Sequence, residues 1–411
     1  MAPIGLRPSG RLAAVSPYPA RALVDLDAIR GNVAALVGHA PTAQVMAVVK
    51  ADAYGHGLVP VARAALAGGA TWLGTAQVTE ALALRAAGIV EPRVLAWLYA
   101  PGAPLAEAIE AGIDVSVAAP WAADEVVTAA RAAGRTARVH LKVDTGLGRN
   151  GVLPSAFDDV VGPLLRAQAE GAVEFVGVWS HFAFADEPDH PTVRAQEEVF
   201  AQAIRTLEAA GAHLEVRHIA NSAATLTRPA VHYDLVRPGL AVYGLSPVPQ
   251  IAGPEAFGLT PAMTLEAQLA TVKQVGAGQG VSYAHQYVTD RPTTLGVVPI
   301  GYADGVPRHA SGTPGRLGAP VQAGGRRLGV AGRVCMDQFV LDLGPDAAER
   351  AGDTVTLFGP GRDGEPTAQD WAVAAGTISY EIVTRLGARV PRVYVESRHV
   401  GADRAAGVVA R

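Results

Sequence analysis

The chain has 411 residues, enough for two or three domains of roughly 100–200 residues, or for one eight-stranded α/β barrel of about 250 with a companion domain. Hydrophobic residues make up 49% and charged residues 18%, which excludes a disordered or acidic-tail protein. The 34 Lys+Arg against 38 Asp+Glu leave a net charge of −4, so no basic field favours nucleic acid or an anionic membrane, and the single cysteine excludes an internal disulfide. The first twenty residues carry Arg and Pro where a signal peptide needs an apolar run, and no long uninterrupted apolar stretch follows. The expected location is the cytoplasm.

In chain order, short β-branched runs alternate with Ala/Leu-rich stretches of helical period from residue 22 to 255. The expected strands are 45–49, 72–76, 93–98, 114–117, 138–143, 175–180, 216–219 and 234–237. Windows between them, such as 78–89 and 121–134, place apolar residues at i, i+3, i+4 and i+7 and run out at a Gly. Strand then helix, repeated eight times, predicts a parallel sheet with right-handed crossovers that closes into a (β/α)8 barrel. A doubly wound open sheet is the competing arrangement. Beyond residue 255 the helical windows thin out, and 270–275, 294–300, 326–334, 338–343 and 354–359 read as strands between Gly/Pro turns. One helical window, 369–387, interrupts them. The fold class is therefore α/β, with a barrel over 22–255 and a mainly β domain over 256–411, to which residues 1–21 are open to contributing.

Side chains at the C-terminal ends of barrel strands face the active-site mouth. Lys50 closes the first such strand in AVVKADAYGHG, followed by Tyr54 and two glycines that permit close backbone approach. A lysine desolvated there suits Schiff-base chemistry. The fifth strand ends in HLKVDTGLGRNG, with Lys142 on the strand and Arg149 in the loop; an inward ammonium at 142 needs a partner or a modification. The sixth delivers His181, and neither Asp186 nor His190 nearby completes a metal set of credible spacing. The seventh and eighth run into ANSA and RPGL, placing Asn221, Ser222 and Gly239 at helix openings, the usual barrel site for a phosphate.

These motifs, with VSYA (281–284), PIGYADGVPR (299–308) and GRVCMDQ (332–338), resemble the alanine racemase family, pyridoxal-5′-phosphate enzymes built as a barrel followed by a β domain. The resemblance spans residues 22–394 and implies a homodimer that interconverts L- and D-alanine, supplying D-alanine for peptidoglycan. It assigns Lys50 as the cofactor-bearing lysine, and Tyr54, Asn221, Ser222, Gly239 and Leu240 as the phosphate holders. Arg149 would meet the cofactor's phenolic oxygen and the substrate carboxylate, while Arg237 would face the ring nitrogen with His181 behind it. Lys142 matches the lysine that the family carbamylates. Tyr283, Met336 and Asp337 would come from the second subunit, and Asp186, Tyr302, Arg308 and Arg333 would line the access channel. Racemisation needs a proton acceptor and donor on opposite faces of one carbon; Lys50 and Tyr283 fit those roles. A racemase of broader substrate range, taking serine for example, carries the same motifs.

Overall fold

The computed structural model of the protein describes residues 19–396. Residues 397–411, which the expected division gives to the second domain, and residues 1–18, which it leaves open to contributing there, lie outside the described residues. Strand β1 (Ala20–Asp25) comes first, and Asp25 both ends it and caps the helix Leu26–His39. Its carboxylate accepts the N–H groups of Asp27 (2.9 Å) and Ala28 (3.0 Å), which have no carbonyl partner inside the helix.

Eight parallel strands follow: β2 (Gln44–Val48), β3 (Trp72–Thr75), β4 (Arg93–Ala96), β5 (Asp114–Val117), β6 (Ala137–Lys142), β7 (Val173–Trp179), β8 (Val216–His218) and β9 (Leu235–Val236). Their order is β8-β7-β6-β5-β4-β3-β2-β9. Backbone hydrogen bonds from Asp234 N to Arg217 O (3.2 Å) and from Arg237 N to Ala220 O (2.9 Å) bring the two ends together. The sheet is thus a barrel, not an open doubly wound sheet. Each strand coincides with an expected one, and β3 and β5 are buried along their whole length, as strands covered on both faces must be.

The remaining strands are β10 (Met263–Gln268), β11 (Thr271–Val275), β12 (Gly280–Val281), β13 (Tyr287–Val288), β14 (Thr293–Val298), β15 (Pro320–Ala323), β16 (Arg326–Gly329), β17 (Phe339–Gly344), β18 (Thr354–Phe358) and β19 (Arg392–Val395). They form a six-stranded sheet in the order β16-β15-β18-β10-β1-β19, a three-stranded sheet β11-β14-β17, and the pair β12-β13. Strand β1, whose residues 22–25 fall inside the expected barrel span, lies between β10 (antiparallel) and β19 (parallel). The expected run 326–334 stops at Gly329, after which Val330 makes a single bridge to Leu341. The helical window 369–387 is two helices, Ala368–Ala375 and Ser379–Thr384, because Gly376 closes the first in the left-handed region at φ 66°.

Buried Asn32 ties the first helix to the chain leaving the barrel. Its Nδ2 donates to Val242 O (3.1 Å) and Thr260 O (2.9 Å), and its Oδ1 accepts from Thr260 N (2.7 Å). Asn32→Ala strands those backbone groups without partners and should lower stability by about 2–4 kcal/mol, read as a shifted urea midpoint with an unchanged slope.

Candidate active site

The turn that carries Lys50 is an unusual piece of backbone. Ala51, Asp52, Ala53 and Tyr54 all sit in the left-handed region at φ 51–53°, a conformation that L-residues enter only under constraint. The constraint comes from hydrogen bonds at both ends. Ala51 N donates to Glu80 Oε1 (2.6 Å), Ala53 N to Val49 O (2.8 Å) and Leu58 N to Asp52 Oδ1 (2.7 Å). Buried His56 turns its Nδ1 to the carbonyls of Ala53 (3.1 Å) and Tyr54 (2.9 Å). The following Gly55 packs so closely on the backbone of Val383 that no side chain would fit.

Lys50 thereby enters a cavity of about 370 Å³ at the C-terminal ends of the barrel strands. Lys142, Arg149, His181, Asn221, Ser222, Arg237, Gly239, Leu240 and Tyr54 line it, as the sequence leads one to expect. Four of the lining side chains, Lys50, Lys142, Arg149 and Arg237, are cationic, and no carboxylate lines the cavity among the described residues. Burial and the Arg149 charge hold the Lys50 amine below its ordinary range. Burial, then Arg149 and Arg237, lower Lys142 to about 8. His181 falls well below a free imidazole, first through burial and then through the four cations.

Arg237 is buried at the back of the cavity, where desolvation lowers it to about 9, so it stays charged at neutral pH. Its Nη2 donates to Ser180 O (2.7 Å) and approaches His181 Nδ1 (3.5 Å), while Nη1 donates to His218 Nδ1 (3.1 Å). The ring of Trp179 supports two cations, with Lys142 Nζ 4.3 Å and Arg237 Cζ 4.8 Å from its centroid.

On the opposite wall Ser222 Oγ accepts from Gly239 N (2.8 Å) and Ala241 N (3.3 Å), tying together the loops after β8 and β9. Asn221 caps the short helix Ser222–Thr227 through Ala224 N (3.1 Å). The Tyr54 hydroxyl occupies the space that a side chain at 239 would take. Among the other lining residues, Trp97, Trp179 and Tyr380 have no assigned role in the sequence reading. Tyr380 lies inside the expected helical window, and burial together with Asp186 raises its phenol to about 12.

The other expected residues lie elsewhere in the chain. Tyr283 is 70% exposed and Met336 53% exposed, and Asp337 pairs with Arg389 (2.7 Å). None of the three lines the cavity of its own chain. They are nevertheless knit into one face of the β domain. Ser282 Oγ donates to Arg333 O (2.7 Å), and Tyr302 N and Ala303 N donate to Cys335 O (3.0 Å) and Met336 O (2.9 Å). Ser282, Ala284 and His285 are all in the left-handed region, so the Tyr283 turn is held in a strained form. Arg308 is exposed on the same domain, and Asp186 lines a separate cleft of about 330 Å³ that shares Asn221 and Tyr380 with the main cavity.

Comparison with known proteins matches residues 24–247 to the N-terminal domain of alanine racemase and 262–394 to its C-terminal domain. An alanine racemase of Beutenbergia cavernae is 63% identical over 93% of this chain and 99% of its own length. One of Frankia casuarinae is 61% identical over 91% of this chain and 96% of its own. The crystal structure of alanine racemase from Streptomyces lavendulae superposes with a TM-score of 0.90 at 58% identity, over 92% of this chain and 98% of that one.

The Gly239 contact gives the site a direct check. Gly239→Ala forces the Tyr54 ring aside and should weaken binding of a phosphate-bearing ligand at least about tenfold, measured by titration calorimetry, with the melting temperature little changed.

Proposed function

This chain belongs to the alanine racemase family, and from that premise we propose that its barrel-mouth cavity interconverts L- and D-alanine with pyridoxal 5′-phosphate bound in it. The observation that carries the reading is the amine of Lys50, held below its usual range in a cavity of four cations and no lining carboxylate. Such a cavity fits a group bearing a phosphate, an aldehyde and a phenolate. The Gly239 cradle beneath the Tyr54 hydroxyl, where no side chain fits, supports the same group. When bound, it withdraws electrons from the substrate's α-carbon and makes the hydrogen there acidic.

Lys50 would hold the cofactor and move a proton on one face of the α-carbon. Tyr54, Asn221, Ser222, Gly239 and Leu240 would hold its phosphate, and Arg149 the substrate carboxylate and the phenolic oxygen. Arg237 would donate to the ring nitrogen without giving up a proton, with His181 packed against it. Tyr283 would serve the opposite face from a second copy of the chain, with Met336 and Asp337 beside it. Its exposure in its own chain and its strained, hydrogen-bonded seat support that division of labour. The same interface would make Asp186, Tyr302, Arg308 and Arg333 a narrow polar channel suited to a small amino acid. The product would feed peptidoglycan synthesis in the cytoplasm; no helix among the described residues is long and apolar enough to cross a membrane. A serine-accepting racemase is the weaker reading, because relatives above 60% identity are alanine racemases.

Lys142 would gain carbon dioxide on its amine, releasing a proton and becoming an anion beside Arg149. The reaction needs the neutral amine, and a group lowered to about 8 supplies it near neutral pH. Protein equilibrated with 13C-bicarbonate should show a carbamate resonance that grows as pH rises through 8 and is missing from Lys142→Arg; a bare Lys142 at all pH values refutes the modification.

L-Alanine incubated with the cofactor-loaded protein should yield D-alanine by chiral chromatography, and Lys50→Ala should lose both turnover and the visible absorbance of the bound group. Subunit sharing has its own test. Lys50→Ala and Tyr283→Phe proteins, each inactive alone, should regain about a quarter of wild-type activity when mixed and reassembled in equal amounts, since half the dimers then carry one intact site. No recovery despite subunit exchange would place both groups on one chain.

A further inference from the structure

Behind Arg237 a line of buried polar groups runs down the inside of the barrel to its opposite end. Arg237 Nη1 contacts His218 Nδ1 (3.1 Å), His218 Nε2 contacts His140 Nδ1 (3.0 Å), and His140 Nε2 contacts Asp114 Oδ2 (3.1 Å). Both imidazoles are fully buried and Asp114 is 2% exposed. At the far end Asp114 Oδ2 also accepts from Arg93 Nη2 (2.8 Å) and Oδ1 from Arg138 Nε (3.3 Å), and those arginines continue to Glu215 and Glu174.

The chemistry of the two ends fixes the direction of every bond between them. A guanidinium can only donate, so His218 Nδ1 must accept, and the hydrogen of His218 sits on Nε2. That hydrogen points at His140 Nδ1, which must accept in turn, leaving the hydrogen of His140 on Nε2. It is received by the carboxylate of Asp114, which can only accept. The file therefore runs one way, from Arg237 to Asp114, with no two donors or two acceptors facing each other. The barrel is shaped to seat it. Strand β6 slips register against β7 between Val139 and His140, and the neighbouring Gly177 leaves the space that the His140 ring fills. Trp179 stacks on His218 at a 6° interplanar angle with centroids 5.8 Å apart, and Trp72 meets His140 edge-on at 5.7 Å.

We propose that Asp114 is a positioning residue for the reaction: from the far end of the barrel it fixes the tautomers of His140 and His218, and through them the acceptor that orients Arg237. The role of Arg237 toward the cofactor rests on the function proposed above; the tautomers do not. Without an acceptor at 114, His140 is free to move its hydrogen to Nδ1. His218 then answers by moving its own to Nδ1, and two donors meet at Arg237. Asn at 114 can still offer its oxygen to His140 and Arg93, so it keeps the direction.

15N-histidine NMR of the full-length protein without cofactor provides the first test, with the two rings identified by the N–N coupling across their shared hydrogen bond. Both should be Nε2–H in the wild type and in Asp114→Asn. Asp114→Leu should convert His218 to Nδ1–H or to a mixture. In the cofactor-loaded dimer Asp114→Leu should lower kcat about tenfold or more with KM for alanine changed less than about threefold, and Asp114→Asn should recover most of it. A His218 that carries its hydrogen on Nδ1 in the wild type overturns the proposal, even if Asp114→Leu does not fold. So does a folded Asp114→Leu with unchanged tautomers or wild-type kcat. Intact tautomers in a protein that racemises nothing would overturn the function and leave the file standing.

Discussion

The cavity at the barrel mouth gathers Lys50, Lys142, Arg149 and Arg237 with no carboxylate among the described residues that line it, and much of the local chemistry follows from their burial together with their mutual repulsion. Cations this close, partly stripped of water, destabilise one another's protonated forms. The lysines and His181 are all lowered, first by burial and then by the neighbouring cations. Arg237 is lowered by burial alone and keeps its charge at neutral pH. A site so arranged is completed by an anion. Burial and like charge together thus favour the neutral amines and create the demand for a phosphate and a carboxylate.

The two domains divide this work. The barrel supplies the cationic cavity, while the β domain, among the described residues, reaches it in its own chain only through the helix Ser379–Thr384, which brings Tyr380 and Thr384 to the wall. That helix also presses on Gly55, so the left-handed turn bearing Lys50 is clamped between domains. Strand β1 belongs to the β sheet and leads straight into the first barrel helix through the Asp25 cap. The β domain is thereby anchored at both ends of the described chain.

The eight barrel strands were legible because a strand buried on both faces is a short apolar run bounded by turn residues. Strand β1 was not: Ala20–Asp25 alternates like any half-buried segment, and its partner residues, Ala20 opposite Ala267, are remote in sequence. Strand β15 is four residues long and opens on a proline, too little for a pattern. Lys50 and Lys142 were readable because each stands at a strand end, where the barrel architecture gives a position its meaning; Arg149, in the loop beyond β6, and Arg237 took their roles from the family resemblance. Trp97 and Trp179 also stand at or just past strand ends, but, like Tyr380, they are apolar enough to look like ordinary core. The turn at 51–54 contains no glycine, so nothing in its sequence announces a left-handed path. His140 and His218 are fully buried in strands that also carry Arg138, Lys142 and Arg217, so HLKV and VRHI do not single them out, and only closure of the ring lines them up.

That alignment explains why an arginine, rather than an acid, belongs at position 237. In the proposed function Arg237 would lend the ring nitrogen of the bound group a hydrogen bond and keep its own proton, so that electron withdrawal would stay modest and return of a proton to the α-carbon would be favoured over loss of carbon dioxide or transamination. Replacing it with a carboxylate would change more than the ring's electronics. An acceptor at 237 would require a hydrogen on His218 Nδ1, hence one on His140 Nδ1, and the lone pair of His140 Nε2 would then face the carboxylate of Asp114. Two acceptors would meet inside the barrel, where no solvent separates them and the unmade bond is costly. The polarity of the file is therefore written for a donor at its top, and it extends through the barrel as far down as Asp114.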